Sequence, residues 1–260
     1  MSGMVANLVT RLRATHGERH PNLGKFLLWS NHVAVALAIL REVEVDLRNP
    51  DRLAQFQKKG WWRRKRRTNH NGVSVRVPNE DAITDAVVER IRQLQEEPVQ
   101  GSVIGSNRDL SFHSQQRRRR QAGIGPDGLK DTDITAYRFD EICLDLRIEA
   151  KLVFERADLD AEYFSARGLP RFADPENPYT TEILGGMIAY CVSRDAVTWT
   201  ACIATDLHAM DGITSVAQVL VVGEDEGLLC CDVHRADDAH PVVTVFHLGL
   251  EFDTEPVSRP

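Results

Sequence analysis

Asp133, Glu149 and Lys151 are the residues in this chain whose types and spacing could do chemistry together. Residues 144–152 alternate strictly: Leu144, Leu146, Ile148, Ala150 and Leu152 on one side, Asp145, Arg147, Glu149 and Lys151 on the other. That period predicts a strand with one buried face. Its polar side sets Glu149 and Lys151 two residues apart, roughly 6.5–7 Å along the strand. Asp133 opens the preceding apolar segment, residues 133–139, and Asp140-Glu141 supply a polar turn that lets the two strands pair. Paired strands would bring an aspartate, a glutamate and a lysine to one water-accessible sheet end, a constellation suited to a divalent-metal hydrolase.

An Asp at the start of one strand followed by Glu-x-Lys in the next resembles the PD-(D/E)xK nuclease superfamily, the restriction-endonuclease-like fold, over residues 78–206. The resemblance implies an α/β protein, a mixed sheet with an αβββαβ core. It also implies Mg2+ (or Mn2+) held by Asp133, Glu149 and the carbonyl of Ala150, with Lys151 orienting the attacking water or stabilising charge. Glu80, in the first turn of a predicted helix, resembles the first-helix glutamate that some members aim at the metal; helix-dipole stabilisation explains it equally well. A carboxylate-held Mg2+ polarises the phosphoryl oxygen and lowers the pKa of bound water. A neighbouring metal and partial burial would lower the pKa of Lys151, which makes a general-base role possible. Thr132 stands where the family has proline. The literal Pro126-Asp127 lies in a Gly-Pro-Asp-Gly turn with no apolar strand directly behind it, and Asp145 shares the face of Glu149 as an alternative ligand. A surface ion pair between Glu149 and Lys151 is the structural alternative.

Residues 78–94 predict a helix, with Asn79 as N-cap and Ile83, Val87, Ile91 and Leu94 as its core stripe. Residues 102–105 or 109–113 would supply the first strand. After the Glu-Ala-Lys strand, residues 158–178 read as a long loop over the site. Residues 179–193 read as a buried helix with Gly185-Gly186 approaching the sheet, and residues 197–204 as a strand. Upstream, residues 23–45 predict a helix beyond a mixed polar segment. Downstream, residues 215–222, 228–233 and 241–250 predict strands or a helix with strands, ahead of a loose tail. The expected organisation is an N-terminal helical extension with a basic arm (1–77), a nuclease-like core (78–206) and a β-rich extension of the same domain (207–260).

The 260 residues are 42% hydrophobic and 27% charged, ordinary values for a globular protein. The net charge of −6 is unevenly distributed: residues 1–156 hold 27 Lys+Arg against 20 Asp+Glu, and residues 157–260 hold 5 against 18. Two basic runs stand out. One holds Lys58, Lys59, Arg63, Arg64, Lys65, Arg66 and Arg67 around Trp61-Trp62, and the other is Arg117-Arg118-Arg119-Arg120. Both read as phosphate contacts, against a solvated-loop alternative, and the tryptophans read as packed. The five cysteines are odd in number and lie mostly in apolar segments, so they read as reduced. No unbroken apolar run approaches the ~20 residues of a membrane span, and no signal-peptide pattern opens the chain. No Walker loop or Gly-x-Ser-x-Gly elbow occurs, and Cys231-x-x-His234 has no second pair for zinc. His113 and His208 are the histidines to check near the metal.

Together these predict a cytoplasmic, metal-dependent deoxyribonuclease, the effector of a defence, restriction or repair system. A partner ATPase or helicase, or self-association, would supply control, with no membrane involved. The alternative is an inactive nuclease-like nucleic-acid-binding or assembly subunit.

Overall fold

The structure is a computed structural model. It describes residues 3–20, 22–49, 51–52, 65–68, 71–97, 99–116, 132–138, 144–219, 228–236, 241–252 and 255–256. Two helices open the chain, α1 (Gly3–His16) and α2 (Leu23–Leu47), followed by a hairpin of β1 (Lys65–Thr68) and β2 (Ser74–Val77). Then come α3 (Glu80–Glu96), a helical turn at Val103–Ser106, and three strands: β3 (Leu110–Gln116), β4 (Thr132–Arg138) and β5 (Leu144–Val153). Short helical turns over residues 156–173 lead to β6 (Leu184–Cys191), and α4 (Ala196–Ala209) follows. The chain continues through β7 (Ile213–Val219), β8 (Leu228–His234), β9 (Val242–Glu251) and the two-residue β10 (Glu255–Pro256).

The main sheet has seven strands in the order β3-β4-β5-β6-β9-β8-β7. β3, β4 and β5 form an antiparallel meander; β5, β6 and β9 run parallel; β8 and β7 return antiparallel. This is an α/β protein with a mixed sheet and N-terminal helices, as the sequence predicts at that level. One face is covered by α1, α2 and α3, whose buried side chains meet Ile134, Ala136, Leu146, Ile148 and Ile188. The other face is covered by α4 and the turns of residues 156–173 over Met187, Ala189, Val243 and Val245. The small sheet β1-β2-β10 stands apart from this order.

Several predicted elements are corrected. Residues 184–191 form a strand, not a helix, because this segment lies between β5 and β9 and is buried on both faces. Such a strand shows no alternation, so its apolar run reads equally well as a helix. Its glycines serve the sheet: a Cβ on Gly185 would come within 2.3 Å of the Phe172 ring. Residues 196–209, in turn, are a helix. Asp195 caps it by accepting the Thr198 amide at 2.6 Å, and Ala196, Trp199, Ile203 and Leu207 form its buried stripe. The β-branched Val197, Thr198 and Thr200 suggest a strand only by propensity. The first strand of the meander is residues 110–116, and residues 103–106 are a helical turn. The N-terminal segment, read as mixed and polar, is helical with Val5, Leu8 and Leu12 buried.

Helix α2 shows how the N-terminal layer is fixed. Gly24–Leu47 is long and apolar enough to cross a membrane by length and composition, a property that counting unbroken runs overlooks. In this fold 56% of its most apolar stretch is buried, and its acids are bonded. Asp46 takes Arg90 through two contacts of 2.6 and 3.0 Å, and Glu42 accepts the amides of Val103 and Ile104 at 2.8 and 3.3 Å. Helix α1 is anchored on β8 and β9, with Thr15 donating to Asp232 at 3.0 Å and His16 Nε2 lying 2.9 Å from the Thr244 hydroxyl.

The segment crossing from β5 to β6 is docked by a buried polar chain. The Tyr163 hydroxyl lies 2.8 Å from His247 Nδ1, and Cys231 Sγ lies 3.2 Å from His247 Nε2. Burial pushes the His247 pKa down to about 3, so the ring is neutral. The exchange Tyr163→Phe leaves a buried ring nitrogen without its partner. It is expected to cost about 1–3 kcal/mol, read as a lower urea midpoint with an unchanged m-value.

Candidate active site

The site is a notch at the C-terminal end of β5, beside the start of β4 at Thr132. β5 runs to Val153, and β6 lies along residues 148–153 on its other side. The register Ile134↔Ile148 and Thr135↔Arg147, continued by one pair, sets Asp133 opposite Glu149 on the same face. Side chains cap two amides of this notch. Asp133 Oδ2 accepts Ala150 N–H at 2.8 Å, and Glu80 Oε2 accepts Leu152 N–H at 2.7 Å. The Ala150 carbonyl leaves the strand on the same side as its amide, toward Asp133.

Lys151 lies among these carboxylates, its Nζ 2.7 Å from Glu149 Oε1 and 3.3 Å from Glu80 Oε1. The Tyr179 hydroxyl donates to the same Glu149 oxygen at 2.7 Å. Glu149 is 3% exposed and Lys151 7%, so the open sheet end expected from the sequence is instead a nearly closed notch with polar walls. Both faces of β5 are buried here, which the one-sided alternation did not predict.

The electrostatics follow from that closure. Burial, then the charge of Glu149, raises the Asp133 pKa to about 7, against the pull of Lys151 and the Ala150 amide. Burial likewise raises Glu80, with Lys151 opposing. Burial alone would lower Lys151, but Glu149, Glu80 and Asp133 together hold it above its ordinary range. Lys151 is therefore held as a cation by these three carboxylates. Burial and the neighbouring Glu149 raise Tyr179.

Of the expected metal-site residues, Asp133, Glu149 and Ala150 converge. Glu80 arrives too, but both its oxygens are engaged, one by Leu152 and one by Lys151. Among the described residues no group of three or more His, Cys, Asp or Glu side chains is disposed to hold a metal ion. Two carboxylates and one carbonyl are donors of the type Mg2+ takes, with waters completing its shell. Asp145 is bound to Arg147 at 3.0 Å, four residues along the strand from Glu149, and is not part of the notch. His113 stacks on Tyr137 with centroids 5.1 Å apart, and His208 is exposed near the end of α4. Asp127 lies outside the described residues.

Among the basic residues, Arg63, Arg64 and Arg117, Arg118, Arg119 and Arg120 lie outside the described residues. Gln116 and Thr132 are partners across β3 and β4, so the segment holding the second run leaves and re-enters the sheet beside Asp133. Lys65 and Arg66 lie on β1, and Arg66 is exposed. Arg67, expected on phosphate, is instead bound to both oxygens of Asp158 at 3.0 Å and to Glu155 at 2.5 Å, which leaves its guanidinium occupied.

Tyr179 escaped the sequence reading because residues 179–193 looked helical; its position at the end of the loop expected over the site was the available signal. Its hydroxyl also lies 2.5 Å from the Arg167 carbonyl, so exchange for phenylalanine loosens Glu149 from that loop at a cost of roughly 1.5 kcal/mol. Tyr179→Phe is expected to show this as a lower urea midpoint with an unchanged m-value.

Compared with family models, curated proteins and solved structures, the chain shows no significant match.

Proposed function

We propose that this protein is a metal-dependent nuclease that hydrolyses phosphodiester bonds of DNA, built on a restriction-endonuclease-like core. The observation that carries the reading is the notch itself, in which Asp133 and Glu149 face each other across two strands with the Lys151 ammonium 2.7 Å from Glu149. The surrounding elements support it. A helix, three antiparallel strands, helical turns and a parallel fourth strand follow one another around the notch, close to the αβββαβ order of that fold.

Asp133, Glu149 and the Ala150 carbonyl would hold Mg2+ (or Mn2+), which when bound supplies a water ionised near neutral pH and a Lewis acid for the phosphoryl oxygen. The chain's own part is positioning and charge. Glu80 fixes the end of β5 through the Leu152 amide, and Tyr179 holds Glu149 in place. Lys151, kept cationic by three carboxylates, stabilises negative charge as it develops on the phosphate. In the cell we place this activity in the cytoplasm, as the effector subunit of a defence, restriction or repair system. A partner ATPase or helicase, or a second copy of the chain, governs access to the site.

One observation favours a second reading. Glu149 and Lys151 are almost buried, as expected of an inactive nuclease-like subunit that binds nucleic acid or assembles with others. Incubating supercoiled plasmid with the protein and Mg2+ or Mn2+, against an EDTA control, separates the two. Metal-dependent nicking supports the enzyme, and a background equal to EDTA supports the binding subunit.

A further inference from the structure

The segment that covers the notch carries an arginine set apart from the others. The helical turn Leu169–Ala173 buries Leu169 and Phe172 completely, and Phe172 fills the space that Gly185 leaves open on β6. Residues three apart share a face of such a turn, so Arg171 between them is turned outward, and it is half-buried. Its Nε donates to the Asn177 carbonyl at 3.1 Å, and its guanidinium lies 5.7 Å from the centre of the Tyr179 ring. Tyr179 is held edge-on to Phe172, with ring centres 5.2 Å apart, and its hydroxyl reaches Glu149 at 2.7 Å. One phenol ring thus separates the Arg171 guanidinium from a carboxylate of the notch. The charge of Arg171 pulls the Tyr179 pKa down against the rise that burial and Glu149 cause, which a remote cation would not do.

The state of its donors distinguishes Arg171. Nε is engaged, but among the described residues the two terminal nitrogens make no hydrogen bond and no ion pair, and neither is sealed from solvent. Other arginines around the notch are committed: Arg67 to Asp158 and Glu155, Arg147 to Asp145, and Arg156 to Asp206. The acids nearest Arg171 in sequence do not pair with it. Asp174 turns one oxygen to the amides of Glu176 and Asn177, at 2.9 and 3.1 Å, and Glu176 is exposed with no ion pair among the described residues. Residues 157–260 hold 5 Lys+Arg against 18 Asp+Glu, and two of those five, Arg167 and Arg171, stand on this covering segment. A guanidinium clamped by its inner nitrogen and an aromatic ring, with its outer fork open, is already arranged to take two oxygens of one phosphodiester. It loses little rotamer freedom in doing so.

We propose that Arg171 binds a backbone phosphate of duplex DNA at the rim of the notch and so positions the strand for Asp133, Glu149 and Lys151. The choice of ligand rests on the nuclease reading; the contact itself is tested without cleavage. The measurement is anisotropy of a short labelled DNA duplex in EDTA over a salt series. It compares the wild type with Arg171→Gln, Arg171→Lys and Tyr179→Phe. One phosphate contact contributes about 0.9 to the slope of log affinity against log salt, so Arg171→Gln is expected to flatten the slope by about one. Arg171→Lys keeps the charge but not the fork, so it is expected to keep the slope at a lower affinity. Tyr179→Phe loosens the same segment without removing a charge and is expected to leave the slope as it is. An unchanged slope in Arg171→Gln overturns the contact, as does an equal loss in Arg171→Lys or Tyr179→Phe. So does tighter wild-type binding to an RNA duplex than to DNA, or no measurable binding to DNA. A flattened slope with no plasmid nicking by the wild type would keep the contact and remove the catalysis. Nicking with an unchanged slope would do the reverse.

Discussion

Supercoiled plasmid incubated with Mg2+ is expected to be nicked by the wild type, with Glu149→Ala losing about 10³-fold or more in rate and Lys151→Ala about 10²–10³-fold. The magnitude follows from what each group does. Removing a fixed charge aimed at a developing oxyanion costs about 10²–10³ in similar sites, and losing a metal-holding carboxylate also forfeits the ionised water. Because Lys151 neutralises Glu149 at 2.7 Å within a buried site, its removal also leaves an uncompensated carboxylate. That costs about 3–5 kcal/mol in comparable buried pairs. Glu149→Gln and Lys151→Met preserve shape and lighten that load, so melting curves run alongside the nicking assay separate lost chemistry from lost fold. Equal rates for the wild type and a folded Lys151→Met protein would end the nuclease reading.

The second large effect concerns stability and has the opposite sign. Asp133, with its pKa raised to about 7, favours the protonated form in the folded protein, whereas the unfolded chain ionises near its ordinary 3.8. Between those values the folded state binds the extra proton, so stability falls as pH rises and levels off above the folded pKa. At pH 8 the wild type therefore has a charged Asp133 facing Glu149, a cost absent at pH 5. Asp133→Asn removes the titration, and its side-chain carbonyl can still accept the Ala150 amide. It is expected to abolish nicking yet stabilise the metal-free protein by about 2–4 kcal/mol more at pH 8 than at pH 5, from ~1.4 kcal/mol per pH unit. That corresponds to roughly 4–16 °C in Tm. Added Mg2+ should narrow the gap by stabilising only the wild type. A variant equally stable at both pH values relative to the wild type would show that burial and Glu149 do not raise the Asp133 pKa in the folded protein.

The two strands that carry the notch were legible because their signals are local. The alternation from Leu144 to Leu152 requires no knowledge of the rest of the chain, whereas the expected Asp140-Glu141 turn lies outside the described residues. Helix α3 was equally clear, with Ile83, Val87, Ile91 and Leu94 all buried as its spacing predicts. Its expected cap was right in position but not in mechanism, since Asn79 makes no side-chain capping bond. What failed depended on neighbours. β6 is apolar on both sides because it lies between β5 and β9, and no periodicity distinguishes that from a buried helix. The burial of Glu149 and Lys151 comes from residues 156–182 folding back over the sheet, which an alternating strand does not announce. Arg67 looked like its neighbours in a basic run, and only Asp158 and Glu155, far along the chain, turn it inward.

The place of β9 has a consequence for how the protein comes into being. This strand, Val242–Glu251, enters between β6 and β8, and helix α1 from the opposite end of the chain grips Asp232 and Thr244 beside it. A nascent polypeptide leaving the ribosome can pair β3, β4 and β5 early, but β6 keeps an open edge until residues 242–251 have emerged. Such late, long-range pairing is slow and leaves strand edges exposed meanwhile. The two halves of the sheet thus join only when this late strand arrives.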